Sequence, residues 1–106
     1  MAKYLFHASY SPEGIKGLQR DKGSGRRQAV EQLVESCGGK LECMYYALGE
    51  DDVVIIADLP DNVAASALSL TVSATGLVRL RTTALMTVEE TDRAVAATAR
   101  YRAPGT

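Results

Sequence analysis

Between Gly38 and Asn62 the chain reads GGKLECMYYALGEDDVVIIADLPDN, and this stretch limits the fold more than any other. Two runs of strand-forming residues, Lys40 to Leu48 and Asp52 to Asp58, are separated only by Gly49, Glu50 and Asp51. A link that short suits antiparallel neighbours, because parallel strands need a long crossover. The second run, DVVIIAD, is apolar on both faces, which places it inside a sheet rather than at an edge. In the first run, alternation puts Leu41, Cys43, Tyr45 and Ala47 on one face and Glu42, Met44, Tyr46 and Leu48 on the other.

The rest of the chain attaches to this hairpin. Lys3 to Tyr10 alternates, with Tyr4, Phe6, Ala8 and Tyr10 on an apolar side and Leu5, His7 and Ser9 on a mixed one, so it reads as a strand. Ser11 and Pro12 open a helix: the serine oxygen caps free amides, and the proline sits where its missing N–H costs nothing. Glycines in the stretch RDKGSGRR predict a break around Lys22 to Gly25. From Arg26 helical spacing returns through Ala29, Val30, Leu33, Val34 and Cys37, until Gly38 and Gly39 end it as a left-handed cap. Asp61 caps a second helix ending at Gly76, with Val63, Ala67, Leu70 and Ala74 as its apolar stripe and Ala64, Leu68 and Thr71 beside them. Leu77 to Met86 alternates again, Val78, Leu80 and Thr82 opposing Arg79, Arg81 and Thr83. Thr87 with Glu90 forms a capping box opening a last helix to about Tyr101, followed by a loose tail.

The order βαββαβ with an added C-terminal helix predicts a single α+β domain over residues 1–106, a ferredoxin-like antiparallel sheet with both main helices on one face. The other face of the sheet is then left needing cover. With 106 residues, 46% of them hydrophobic, there is one modest core and no room for a second domain. The 12 basic and 13 acidic residues nearly cancel, so no overall field favours nucleic acid or an anionic membrane. The N-terminus lacks an uninterrupted apolar segment of signal-peptide or membrane length, and a cytoplasmic protein is expected. Cys37 and Cys43 then read as reduced thiols, and one histidine supplies no zinc-ligand spacing, so neither a metal nor another cofactor is expected.

The strand ending in Tyr10, the helix start SPEGIKG, the lead-in GGKLE, the turn GEDD, the segment DLPDN and GLVRLRTT together resemble the GYD domain family over roughly residues 3 to 90. Gly49 and Asp52 match the Gly, Tyr, Asp turn for which the family is named, while Asp51 stands where the tyrosine would be. The resemblance implies a dimeric α/β barrel, in which two ferredoxin-like sheets pack face to face. Related barrels, the antibiotic-biosynthesis monooxygenases and muconolactone isomerases, hold small molecules between sheet and helices or between subunits. The resemblance implies no particular reaction.

Alternation gathers the chemically interesting side chains on the face away from the main core: His7, Glu42, Met44, Tyr46, Arg79 and Arg81. Such a surface can hold a small anionic or aromatic molecule. His7 can move a proton near neutral pH, Glu42 can orient it or act as a base, and an arginine can hold a carboxylate or oxyanion. The same residues also serve if they only pair across a subunit interface or charge an edge strand. A second candidate is Ser24, Gly25, Arg26 and Arg27, where amides and charge before a helix could receive an anion; the glycine and lysine order is not that of a Walker loop. The acidic turn Glu50, Asp51, Asp52 lacks calcium-loop spacing and is expected to stay hydrated.

Overall fold

A computed structural model describes residues Met1–Thr106. The elements run β1 (Ala2–Tyr10), α1 (Pro12–Ser36), β2 (Lys40–Tyr46), β3 (Val53–Leu59), α2 (Asn62–Ser73), β4 (Val78–Leu85) and α3 (Val88–Ala96). The strands form one antiparallel sheet in the order β2-β3-β1-β4, the ferredoxin-like arrangement. Tyr4, Phe6 and Ala8 of β1 and Val53, Ile55, Ala57 and Leu59 of β3 bury one face against Val34 of α1 and Ala65 and Leu68 of α2. The two central strands therefore supply most of the core, as their apolar alternation requires.

Helix α1 begins on Ser11, whose Oγ accepts from the Gly14 amide at 3.0 Å. It breaks at Lys22, where φ is 61° and ψ 171°, so the interruption falls on the lysine rather than on either neighbouring glycine. That backbone region is essentially glycine's, and lysine occupies it under strain. Gly23 leaves room for the Tyr46 ring, whose hydroxyl donates to the Gly23 carbonyl at 3.0 Å and so ties β2 to the kink. Residues 23–36 are helical, so Ser24, Gly25, Arg26 and Arg27 do not form the loop expected of them. At the far end Gly38 (φ 83°) closes a Schellman cap, with its amide on Glu35 O and that of Gly39 on Val34 O. Gly39 lies so close to the Asp58 carbonyl that a Cβ would collide with it.

Three expectations need correcting. Strand β2 carries a bulge between Leu41 and Cys43, so that Leu41 opposes Ala57 and Cys43 opposes Ile56. The extra residue changes the parity: Leu41, Met44 and Tyr46 face the helices, while Glu42, Cys43 and Tyr45 face away. Helix α2 buries Ala65 and Leu68 instead of the stripe Val63, Ala67, Leu70 and Ala74, which lies exposed. Helix α3 ends at Ala96, short of Tyr101.

Candidate functional site

The open face of the sheet is polar at both ends. Near the start of β1, Lys3 Nζ reaches Asp58 Oδ1 at 3.0 Å and Glu42 Oε1 at 3.2 Å. The hydrogen bonds to Asp58 and then Glu42 raise the Lys3 pKa above its ordinary value despite opposing desolvation. This places Glu42 beside Lys3, in a cluster separate from His7. The expected pairing of Glu42 with His7 is therefore replaced by another.

At the other end His7, Ser9, Arg79 and Arg81 meet because β1 and β4 pair His7 with Arg81 and Ser9 with Arg79. The acidic turn completes the group. The connection between β2 and β3 covers residues 47–52, longer than the sequence suggests, and it folds back over the end of β1. The Asp52 amide donates to Ala8 O at 2.9 Å, and Asp52 Oδ2 accepts from the Tyr10 amide at 2.8 Å. Those bonds bring Asp51 down onto the sheet, where its side chain is only 16% exposed. Asp51 Oδ2 accepts from Arg81 Nη2 at 2.6 Å, and Oδ1 accepts from Ser9 Oγ at 3.2 Å. His7 Nδ1 lies 3.2 Å from the same Oδ2, near enough to share its charge but out of line for a hydrogen bond, so this buried nitrogen has no partner of its own. Burial works against the Asp51 carboxylate; the hydrogen bond and charge of Arg81, the Ser9 hydroxyl and the nearby His7 outweigh it, and the pKa falls below its ordinary value.

Beside this group runs a groove of about 680 Å³, walled by His7, Ser9, Glu50, Asp51, Arg79 and Arg81 with Ser73 and Gly76 behind. Its size suits a small organic molecule. Arg81 is held by Asp51, whereas Arg79 has no carboxylate partner. The space between sheet and helices is far smaller, about 70 Å³, lined by apolar side chains and Arg26. That is below the roughly 150 Å³ that admits a benzene ring.

Met44 and Tyr46 stand on the helix side: Met44 packs against the core, and desolvation raises the Tyr46 pKa. They do not join His7. Arg26 and Arg27 pair with Asp21 at 3.7 Å and Glu31 at 3.1 Å. No three side chains among histidines, cysteines and acids converge to hold a metal ion. Sequence reasoning missed Asp51 as a site residue. Its only signal was its place at the tip of an acidic turn, and the inward fold of that tip depends on Asp52 finding the Tyr10 amide.

A family model, the GYD domain, matches residues 4–95. The chain belongs to the GYD domain family. The match takes in β1 from Tyr4 and the other three strands of the GYD sheet whole, including the turn that carries Asp51. No curated protein and no solved structure matches the chain. In this GYD domain no helix is long and apolar enough to cross a membrane.

Proposed function

We propose that this GYD domain is a homo-oligomeric module that binds a small organic anion, aromatic or aliphatic, in the groove at the end of β1 and β4. The observation that carries the reading is Arg79, a guanidinium without a carboxylate partner on the wall of a groove about 680 Å³ in volume. A bidentate carboxylate is its natural ligand. His7, with Nδ1 3.2 Å from Asp51 Oδ2 in the same wall, is positioned to exchange a proton with a ligand seated there, without a cofactor. Glu50, also on the wall, disfavours a densely charged anion and so selects a molecule with one acidic group. The sheet face on which the groove opens is not covered by any helix of its own chain, and a second copy would exclude water from it. Unpaired Cys37 and Cys43 suit a reducing compartment such as the cytoplasm.

A thermal-shift screen of simple carboxylates against the purified protein tests this. A ligand at a hundred times its Kd adds about 2.7 kcal/mol. Arg79→Ala should abolish the gain while leaving the ligand-free melting temperature nearly unchanged. A screen in which no carboxylate stabilises the wild type, or one in which Arg79→Ala responds equally, counts against it. The rival reading, an assembly or regulatory module without a ligand, is favoured by the saturation of Asp51 by Arg81 and Ser9. It predicts no stabilisation by any carboxylate.

A further inference from the structure

The groove beside Arg79 is unlike an ordinary small-molecule pocket, which is mostly apolar with a few placed polar groups. Among its lining residues only Tyr10 and Val78 are hydrophobic. Some of the polar ones satisfy one another, Asp51 accepting from both Arg81 and Ser9. Others have nothing: Glu50 from the β2–β3 connection, Arg79 from β4 and Ser73 from the end of α2 make no side-chain hydrogen bond or ion pair within the chain. Glu50 and Arg79 carry opposite charges and line the same concavity, yet they are not paired with each other. At about 680 Å³ the groove is also several times the roughly 150 Å³ that admits a benzene ring, so a benzoate-sized acid on Arg79 leaves most of it to water.

We propose that the occupant is a hydroxylated carboxylate of the sugar-acid class, with its carboxylate on Arg79 and its hydroxyls donating to Glu50 and Asp51. This rests on the reading of Arg79 as an anion anchor and narrows what the anion is. An ionised carboxylate only accepts, and it has room for about four hydrogen bonds. Asp51 uses part of that capacity on Arg81 and Ser9, whereas Glu50 has all of it open. An alkyl chain or aromatic ring laid against these groups would strip their water and return no hydrogen bond, which is unfavourable for each group so covered. Ligand hydroxyls replace the water bond for bond. The Ser73 hydroxyl, which both donates and accepts, suits the same kind of partner. Like-charge repulsion from Glu50 keeps the acidic end of the ligand at Arg79 and so fixes its direction in the groove.

Isothermal titration calorimetry of the full chain with gluconate, hexanoate, benzoate and glucitol tests the assignment. Hexanoate keeps the chain and the carboxylate without the hydroxyls, and glucitol keeps the hydroxyls without the carboxylate. A site built to hydrogen-bond hydroxyls strongly rejects an analogue that lacks them, so gluconate should bind at least about tenfold more tightly than any of the others. Glu50→Gln should weaken gluconate about tenfold without weakening hexanoate. Because Glu50 is exposed and bonds to nothing in its own chain, that variant keeps the fold. Gluconate affinity unchanged in Glu50→Gln would overturn the assignment. Hexanoate or benzoate matching gluconate, with all binding lost in Arg79→Ala, would overturn it too while leaving the anion reading intact. Glucitol matching gluconate, with neither affected by Arg79→Ala, would sink the anion reading and the assignment with it. Binding of none of these compounds would end both.

Discussion

The carboxylate of Asp51 is shared by Arg81, Ser9 and His7, which come from two strands, so its loss frees several groups at once. Asp51→Asn keeps the size but gives up the charge that Arg81 needs. The sign of the pH effect follows from the depressed pKa: the stabilisation is complete above the ordinary carboxylate value, about 3.9, and fades as pH drops through the lower folded value. Melting curves should therefore separate wild type from Asp51→Asn at neutral pH and converge in strong acid. A gap that persists in acid would mean that shape, not charge, is what Asp51 supplies. Lys22 offers the opposite kind of change. Its φ of 61° is accessible to glycine without a Cβ penalty, so Lys22→Gly should raise unfolding free energy by about 1 kcal/mol in urea titration. A destabilised variant would show that the lysine side chain, not its backbone, matters at the joint.

At the level of elements, the bulge in β2 decides which side chains meet. Met44 lies against the core and its neighbour Tyr45 is 69% exposed on the other face. Met44→Asp should cost about 2–3 kcal/mol through a charge forced against apolar neighbours, and Tyr45→Asp less than about 0.5 kcal/mol in the isolated subunit, by chemical denaturation. Equal costs would place both on one face. The strands, their order and the split β-α-β topology were legible in the sequence because β1 and β3 alternate or stay apolar over their full lengths. His7, Arg79 and Arg81 were legible for the same reason, since strict alternation fixes their side. Met44 and Tyr46 were not: one inserted residue reverses parity, and nothing in KLECMYY marks where it sits. Helix α2 was misread because no charge marks its outer side, and periodicity cannot choose a side when both qualify. Asp51, expected to stay hydrated, is instead drawn onto the sheet, because its position depends on the bonds between Asp52 and β1, far away in sequence.

The whole molecule measures 58 × 31 × 24 Å with a radius of gyration of 17.0 Å. A compact chain of this length has about 13 Å. The excess reflects α3 and the residues after it, which extend beyond the sheet and its two packed helices. The sheet face that no helix of its own chain covers is also the one on which His7, Arg79 and Arg81 line the groove. The latch formed by residues 47–52 carries a practical corollary. Hairpin tips are the usual place to splice in a reporter or an epitope, but here the tip is riveted through Asp51 and Asp52 to strands on the far side of the hairpin. Lengthening it would pry that seam apart, whereas the chain beyond Ala97, bare to solvent, can carry cargo without disturbing the groove.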